Sequence, residues 1–80
     1  MNVSCQFSLY PLGKQDLGDI IYKALDELKK RDIKYDLGAM STIFSGDSDE
    51  VFSCMKSIFD VAAKEGGVVL TLTLSNACKV

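Results

Sequence analysis

The order in which hydrophobic periodicity changes along this chain constrains its fold more than any other feature. Val3, Cys5, Phe7 and Leu9 alternate with Asn2, Ser4, Gln6, Ser8 and Tyr10. That period of two predicts a strand over Asn2–Tyr10 with one buried face. Pro11 cannot continue a ladder, and Gly13 completes the break. From Leu17 the spacing changes to that of a helix: Leu17, Ile20, Ile21, Ala24, Leu25 and Leu28 form one stripe, with Asp16 placed to cap it. Acid-to-base pairs at i, i+4 (Asp19–Lys23, Asp26–Lys30, Glu27–Arg31) support its wet side. Two short strand-like runs follow, Ile33–Leu37 and Met40–Ser45, joined through Gly38 and Ala39. Asp47 and Glu50 stand at capping-box spacing, with Ser48 as the alternative cap, ahead of a second helical stripe of Val51, Phe52, Met55, Ile58, Phe59 and Ala62. Gly66–Gly67 stops it. Val68, Leu70, Leu72 and Leu74 then alternate with Val69, Thr71, Thr73 and Ser75 as a last strand, and Asn76–Val80 reads as a loose tail.

The resulting order is β-α-β-β-α-β. Two one-sided helices need a common apolar surface, and a four-stranded sheet supplies one. With right-handed crossovers this is the split βαβ arrangement. The fold class expected is therefore α+β, a ferredoxin-like sandwich whose antiparallel sheet carries both helices on one face. The first and third strands are central; the second and fourth are edges. Residues 1–80 make one domain. Below roughly 70–80 residues a single core rarely contributes more than about 3–5 kcal/mol, so self-association is an expected supplement.

Composition removes several functions. The net charge of −2 gives no electrostatic grip on nucleic acid. Lys29, Lys30 and Arg31 sit in the last turn of the first helix, where cations suit the helix dipole. The chain has no histidine, and Cys5, Cys54 and Cys78 show no CxxC spacing, so neither a zinc site nor a Cys–His nucleophile can be built. No cofactor or metal is implied, and no nucleophile–base pair points to an enzyme. Three unpatterned cysteines read as reduced thiols of a cytoplasmic protein. No basic-then-apolar leader and no run near the ~20 residues of a membrane span is visible.

The face away from the helices carries Gln6, Ser8, Tyr10, Asp36, Thr71 and Thr73. In the third strand alternation groups Met40, Thr42 and Phe44 against Ser41, Ile43 and Ser45, without saying which set is inside. If Thr42 points outward, Met40 and Phe44 come with it. The surface would then combine one carboxylate, several hydroxyls and apolar flanks, which suits a small organic ligand. A carboxylate can accept a hydrogen bond from the exocyclic amine of an aminopyrimidine, a bond of about 1.5–3 kcal/mol. The competing reading is a plain solvated face.

The segments SLYPLG, KYDLGAMSTIFSGD and VVLTLTL resemble the YkoF-like thiamine- and hydroxymethylpyrimidine-binding proteins, and the resemblance runs from Val3 to Ser75. It implies the ferredoxin-like fold, and non-catalytic binding of thiamine or its hydroxymethylpyrimidine moiety in vitamin salvage or transport. It also implies domains paired sheet to sheet as a homodimer or homotetramer. It puts Thr42 on the binding face and Asp36 at the family's acidic position. The expected ligand-binding residues are Asp36, Thr42, Ser8, Gln6, Met40, Phe44 and Thr71, on the open face at a subunit interface. The alternative is an ACT-like metabolite-sensing module. Such modules often carry a glycine-rich turn after the first strand, which this chain lacks, although Gly13 partly resembles one.

Overall fold

The computed structural model describes residues 1–13, 16–64 and 66–78. The elements run β1 (Asn2–Pro11), α1 (Leu17–Lys30), β2 (Tyr35–Leu37), β3 (Thr42–Asp47), α2 (Ser48–Ala63) and β4 (Val68–Ser75). They form one sheet of order β2-β3-β1-β4 in which every neighbouring pair is antiparallel. This is the expected ferredoxin-like arrangement, with β1 and β3 central. Among the described residues no helix is long and apolar enough to cross a membrane.

Local chemistry sets the helix ends. Asp16 caps α1 by accepting the Gly18 N–H at 2.8 Å, and Asp47 caps α2 by accepting the Asp49 N–H at 3.2 Å. Glu50 does not close the capping box. It instead accepts from Arg31 Nη1 at 3.1 Å, while Arg31 Nη2 reaches the Ser57 hydroxyl at 3.0 Å, so the end of α1 is pinned to α2. Lys30 pairs with Glu27 at 3.0 Å rather than with Asp26. Asp32, just past α1, is left-handed at φ 56°. Ile33 N–H returns to the Leu28 carbonyl and Asp32 N–H to that of Lys29, both at 3.0 Å, which is a Schellman ending with Asp in the place glycine usually takes.

Val3, Cys5, Phe7 and Leu9 of β1 meet Ile20, Ala24, Leu25 and Leu28 of α1 and Val51, Cys54, Met55, Ile58 and Ala62 of α2 in one core. The α2 stripe is rotated from the one expected. Cys54 is fully buried, whereas Phe52 and Phe59 are 58% and 42% exposed. The tail is also held further than expected. Ser75 Oγ accepts the N–H groups of Ala77 and Cys78 at 3.0 and 3.1 Å, and Ser4 Oγ donates to the Cys78 carbonyl at 2.8 Å. Residues 79–80 of the expected loose tail lie outside the described residues.

The register corrects the face assigned to β3. Opposed residues of an antiparallel pair point the same way. Phe44 opposes Cys5 and Thr42 opposes Phe7, while on the other side Tyr35 opposes Phe44 and Leu37 opposes Thr42. Thr42 and Phe44 therefore point under the helices, and Ile43 lies on the open face beside Asp36 and Gln6. The physical reason is aromatic burial. Phe44 is 2% exposed and meets Phe7 edge to face, with ring centroids 6.0 Å apart. Gln6, Ser8, Thr71 and Thr73 occupy the open face as expected, since Gln6 opposes Thr73 and Ser8 opposes Thr71.

Candidate functional site

A difference in strand length makes the site. On one side β1 stays paired to β4 as far as Pro11, opposite Val68, one residue further than the strand expected to stop before that proline. On the other its pairing with β3 ends at Phe7, opposite Thr42. The reason is local: Gly38 N–H bonds to the Ser41 carbonyl at 2.9 Å, so residues 38–41 turn instead of extending the strand. A Cβ at Gly38 would sit 3.0 Å from the Ser41 oxygen, which explains glycine there. The strand expected from Met40 thus begins at Thr42. Met40 belongs to the turn and is 83% exposed.

Two open-face side chains of β1 fasten that turn. Gln6 Nε2 donates to Ser41 Oγ, and Ser8 Oγ donates to the Met40 carbonyl, both at 2.9 Å. The turn is thereby held beside the part of β1 that β3 no longer accompanies. Between them and the first turns of α1 lies a cleft of about 240 Å³. Its walls come from Phe7 to Tyr10 of β1, from Leu17, Ile21, Ala24 and Leu25 of α1, and from Leu37 to Thr42 of the hairpin.

The cleft's chemistry is mostly apolar with a few polar points. Thr42 is 5% exposed, and among the described residues its hydroxyl has no hydrogen-bond partner. A buried unmade hydrogen bond costs about 1–3 kcal/mol, so this hydroxyl is a strong attachment point for anything that enters. Ser8 adds a second hydroxyl, already engaged with the turn. The main chain of residues 8–10, unpaired on the β3 side, faces the same space. No charged side chain is among the described residues lining the cleft. No group of three or more His, Cys, Asp or Glu suited to a metal occurs among the described residues.

Of the residues singled out in the sequence, the structure brings Ser8, Met40 and Thr42 to the cleft wall. Gln6 stands behind it, holding Ser41. Phe44 is core. Asp36 and Thr71 lie on the open face and do not line the cleft. Leu17, Ile21, Leu37 and Gly38 were not singled out as site residues, because an apolar helix stripe reads as core wherever it falls.

Residues 2–79 match the family model described as the YKOF-related family. The chain is 36% identical over 55 residues to the UPF0045 protein MJ1052 of Methanocaldococcus jannaschii, a match covering 68% of this chain and 55% of that protein. It is 29% identical over 72 residues to the Bacillus subtilis protein named "Putative HMP/thiamine-binding protein YkoF", covering 89% of this chain and 36% of that one. It therefore spans less than two thirds of the length of either curated relative. The crystal structure of MJ1052 superposes with a TM-score of 0.87 at 28% identity, over 99% of this chain and 84% of that one.

Proposed function

The chain belongs to the YKOF-related family, and from that premise we propose that it binds thiamine or the hydroxymethylpyrimidine moiety of thiamine without catalysing a reaction on it. In this reading it serves vitamin salvage or transport in the cytoplasm as a homo-oligomer. The Bacillus subtilis relative, named for HMP and thiamine binding, supports the ligand class.

The observation that carries the reading is the buried, unpartnered Thr42 hydroxyl in an apolar cleft of about 240 Å³. Pockets for drug-sized ligands run roughly 300–1,000 Å³, so this cleft suits a single ring. An aminopyrimidine presents an amine donor beside a ring-nitrogen acceptor. A hydroxyl can answer either, and the free main-chain edge of β1 offers both N–H and C=O. Phe7, Leu17 and Leu37 supply the apolar walls. In this reading the site lies in the layer between sheet and α1 and not on the open face, and Asp36 is not part of it.

Calorimetric titration with thiamine and with hydroxymethylpyrimidine tests this, supported by thermal unfolding. Ligand at 100 times its dissociation constant should stabilise the fold by about 2.7 kcal/mol. For a domain this size that raises Tm by roughly ten degrees or more. No heat and no shift with either compound would sink the reading, as would a response to amino acids alone. Asp36→Asn should leave the affinity unchanged; a loss there, with none in Thr42→Val, would return the site to the open face.

A further inference from the structure

The walls of the cleft are not held with equal strength. β1 is paired to β4 all along the cleft, and α1 is capped by Asp16 at the end that roofs it. The third wall, residues 38–41, is the loop of the β2–β3 hairpin. Its base is fixed where Leu37 opposes Thr42, but residues 38–40 are all exposed, Met40 the most of them. Segments with few buried contacts open at low free energy. Among the described residues, two hydrogen bonds tie the tip of this loop to β1. Gln6 Nε2 donates to Ser41 Oγ and Ser8 Oγ donates to the Met40 carbonyl, both in exposed positions.

Passage into the cleft depends on this loop. Thr42 lines the cleft and is nonetheless buried, so a ligand that reaches its hydroxyl has to displace a wall on the way in. Phe7 and Leu9 are buried and fixed in the ladder, and Ala24 and Leu25 of α1 are buried in the core. The loop that leads directly into Thr42 is the wall held least firmly. Exposed neutral hydrogen bonds compete with bonds to water and contribute little one by one. The Met40 side chain is a flexible apolar cover that can follow the loop outward.

We propose that residues 38–41 are the gate of the cleft, latched by Gln6 and Ser8, and that the gate opens only for passage. It is shut in both the free and the occupied protein. Gln6 is then a positioning residue: it stands outside the cleft and acts on the ligand through Ser41. The latch bonds are present before entry and after it, and are broken only in between. Deleting one lowers the barrier to entry and to exit by the same amount, so the effect cancels in the affinity. A side chain that touched the ligand would instead change the affinity itself. What passes the gate rests on the ligand reading above; the motion of the gate does not.

Rapid mixing with thiamine, followed through the fluorescence of Tyr10 at the cleft wall, gives both rates, and calorimetry gives the affinity. Gln6→Ala should raise the association and dissociation rates about fivefold each, with an unchanged dissociation constant. Ser41→Ala should do the same, and the double variant no more than either, because both delete one bond. Thr73→Ala, opposite Gln6 on the open face, should alter neither rate. Native rates in Gln6→Ala and Ser41→Ala overturn the proposal. So does a weaker affinity carried by dissociation alone, which would make Gln6 a ligand contact. Thr42→Cys gives a readout that needs no ligand. A thiol reagent should label that position about fivefold faster when Gln6→Ala is added, scored by peptide mass. Equal labelling overturns the gate whether or not thiamine binds; faster labelling in a protein that binds no thiamine upholds the gate and sinks the ligand reading alone.

Discussion

The layer between the helices and the sheet is closed at one end and hollow at the other. Under α2, Val51, Cys54 and Ile58 are completely buried, and the Phe7–Phe44 contact fills the space between strands. Under the first turns of α1, Leu17 is half exposed, and the cleft remains beside a buried hydroxyl with no partner. Both ends draw on leucine, isoleucine and phenylalanine, so composition does not separate them. Strand length does. Where β1 has neighbours on both sides, apolar side chains from two helices find a continuous floor. Where β3 gives way to the turn at Gly38–Ser41, the floor has a notch that α1 cannot fill. Stability should therefore be concentrated at the α2 end, and binding at the α1 end.

Truncation should break the symmetry most visibly. Ile58→Ala removes a wholly buried side chain from close packing and should cost about 3–4 kcal/mol, within the usual range of 2–5. Against a total of only about 5–15 kcal/mol for native proteins, this lowers the urea midpoint sharply. Leu17→Ala, at the cleft mouth, should cost under ~1 kcal/mol by the same measurement. Equal costs would mean that the α1 end is packed as tightly as the α2 end.

Thiol chemistry sharpens the same contrast. Burial, with a smaller contribution from Cys54, pushes the Cys5 thiol up to about 11, and burial does the same to Cys54. Both sit in the closed end, with Cys5 Sγ 3.7 Å from Met55 Sδ. Their folded pKa values lie above the ordinary 9.0, so the folded state holds these protons where the unfolded chain releases them. Their contribution is intact below about pH 9 and is lost as pH rises towards 11, so Tm should fall across that window. At neutral pH a thiol reagent should add once per folded chain, at exposed Cys78, and three times after unfolding. Rapid labelling of Cys5 or Cys54 in the native state would show that the closed end opens.

At the hollow end one substitution should move stability and binding in opposite directions. Thr42→Val keeps the shape and deletes the unsatisfied hydroxyl, so it should raise stability by about 1 kcal/mol in urea unfolding. The same change should weaken binding of the pyrimidine ligand by about tenfold or more, read by calorimetry. Lower stability together with unchanged affinity would place the hydroxyl outside the binding site.

Much of this architecture was legible in the chain, and the illegible part has one cause. Periodicity located all six elements, Asp16 and Asp47 marked both helix starts, and strict alternation put Gln6, Ser8, Asp36, Thr71 and Thr73 on the open face. The third strand resisted, because Met40–Thr42–Phe44 and Ser41–Ile43–Ser45 each mix polar and apolar residues. A one-residue change of register exchanges the two faces of a strand. Only the pairing of Phe44 with Cys5, distant in sequence, decides it, and family resemblance pointed the other way. The cleft was hidden for the same reason, since it depends on where β3 stops relative to β1. Phe52 and Phe59 fit a helical stripe but stay exposed, which a wheel drawn on one helix cannot reveal.

The smallest expected effect tests whether the two ends of α1 are independent. Asp32 holds a left-handed conformation at the end of α1 remote from the cleft, and a non-glycine residue pays for that geometry in steric strain. Its backbone already makes both bonds of the Schellman ending, so glycine could occupy the position without rearrangement. Part of the gain is lost because glycine frees the unfolded chain. Asp32→Gly should therefore stabilise by about 0.5–1 kcal/mol, seen as a higher urea midpoint at unchanged slope. Arg31 pins this end of the helix to α2 through Glu50 and Ser57, whereas the first turn only roofs the notch. Ligand affinity should then be the same in Asp32→Gly as in the native chain. If affinity changes, α1 moves as a rigid lever between the closed and hollow ends, and the contrast between them is one of packing alone.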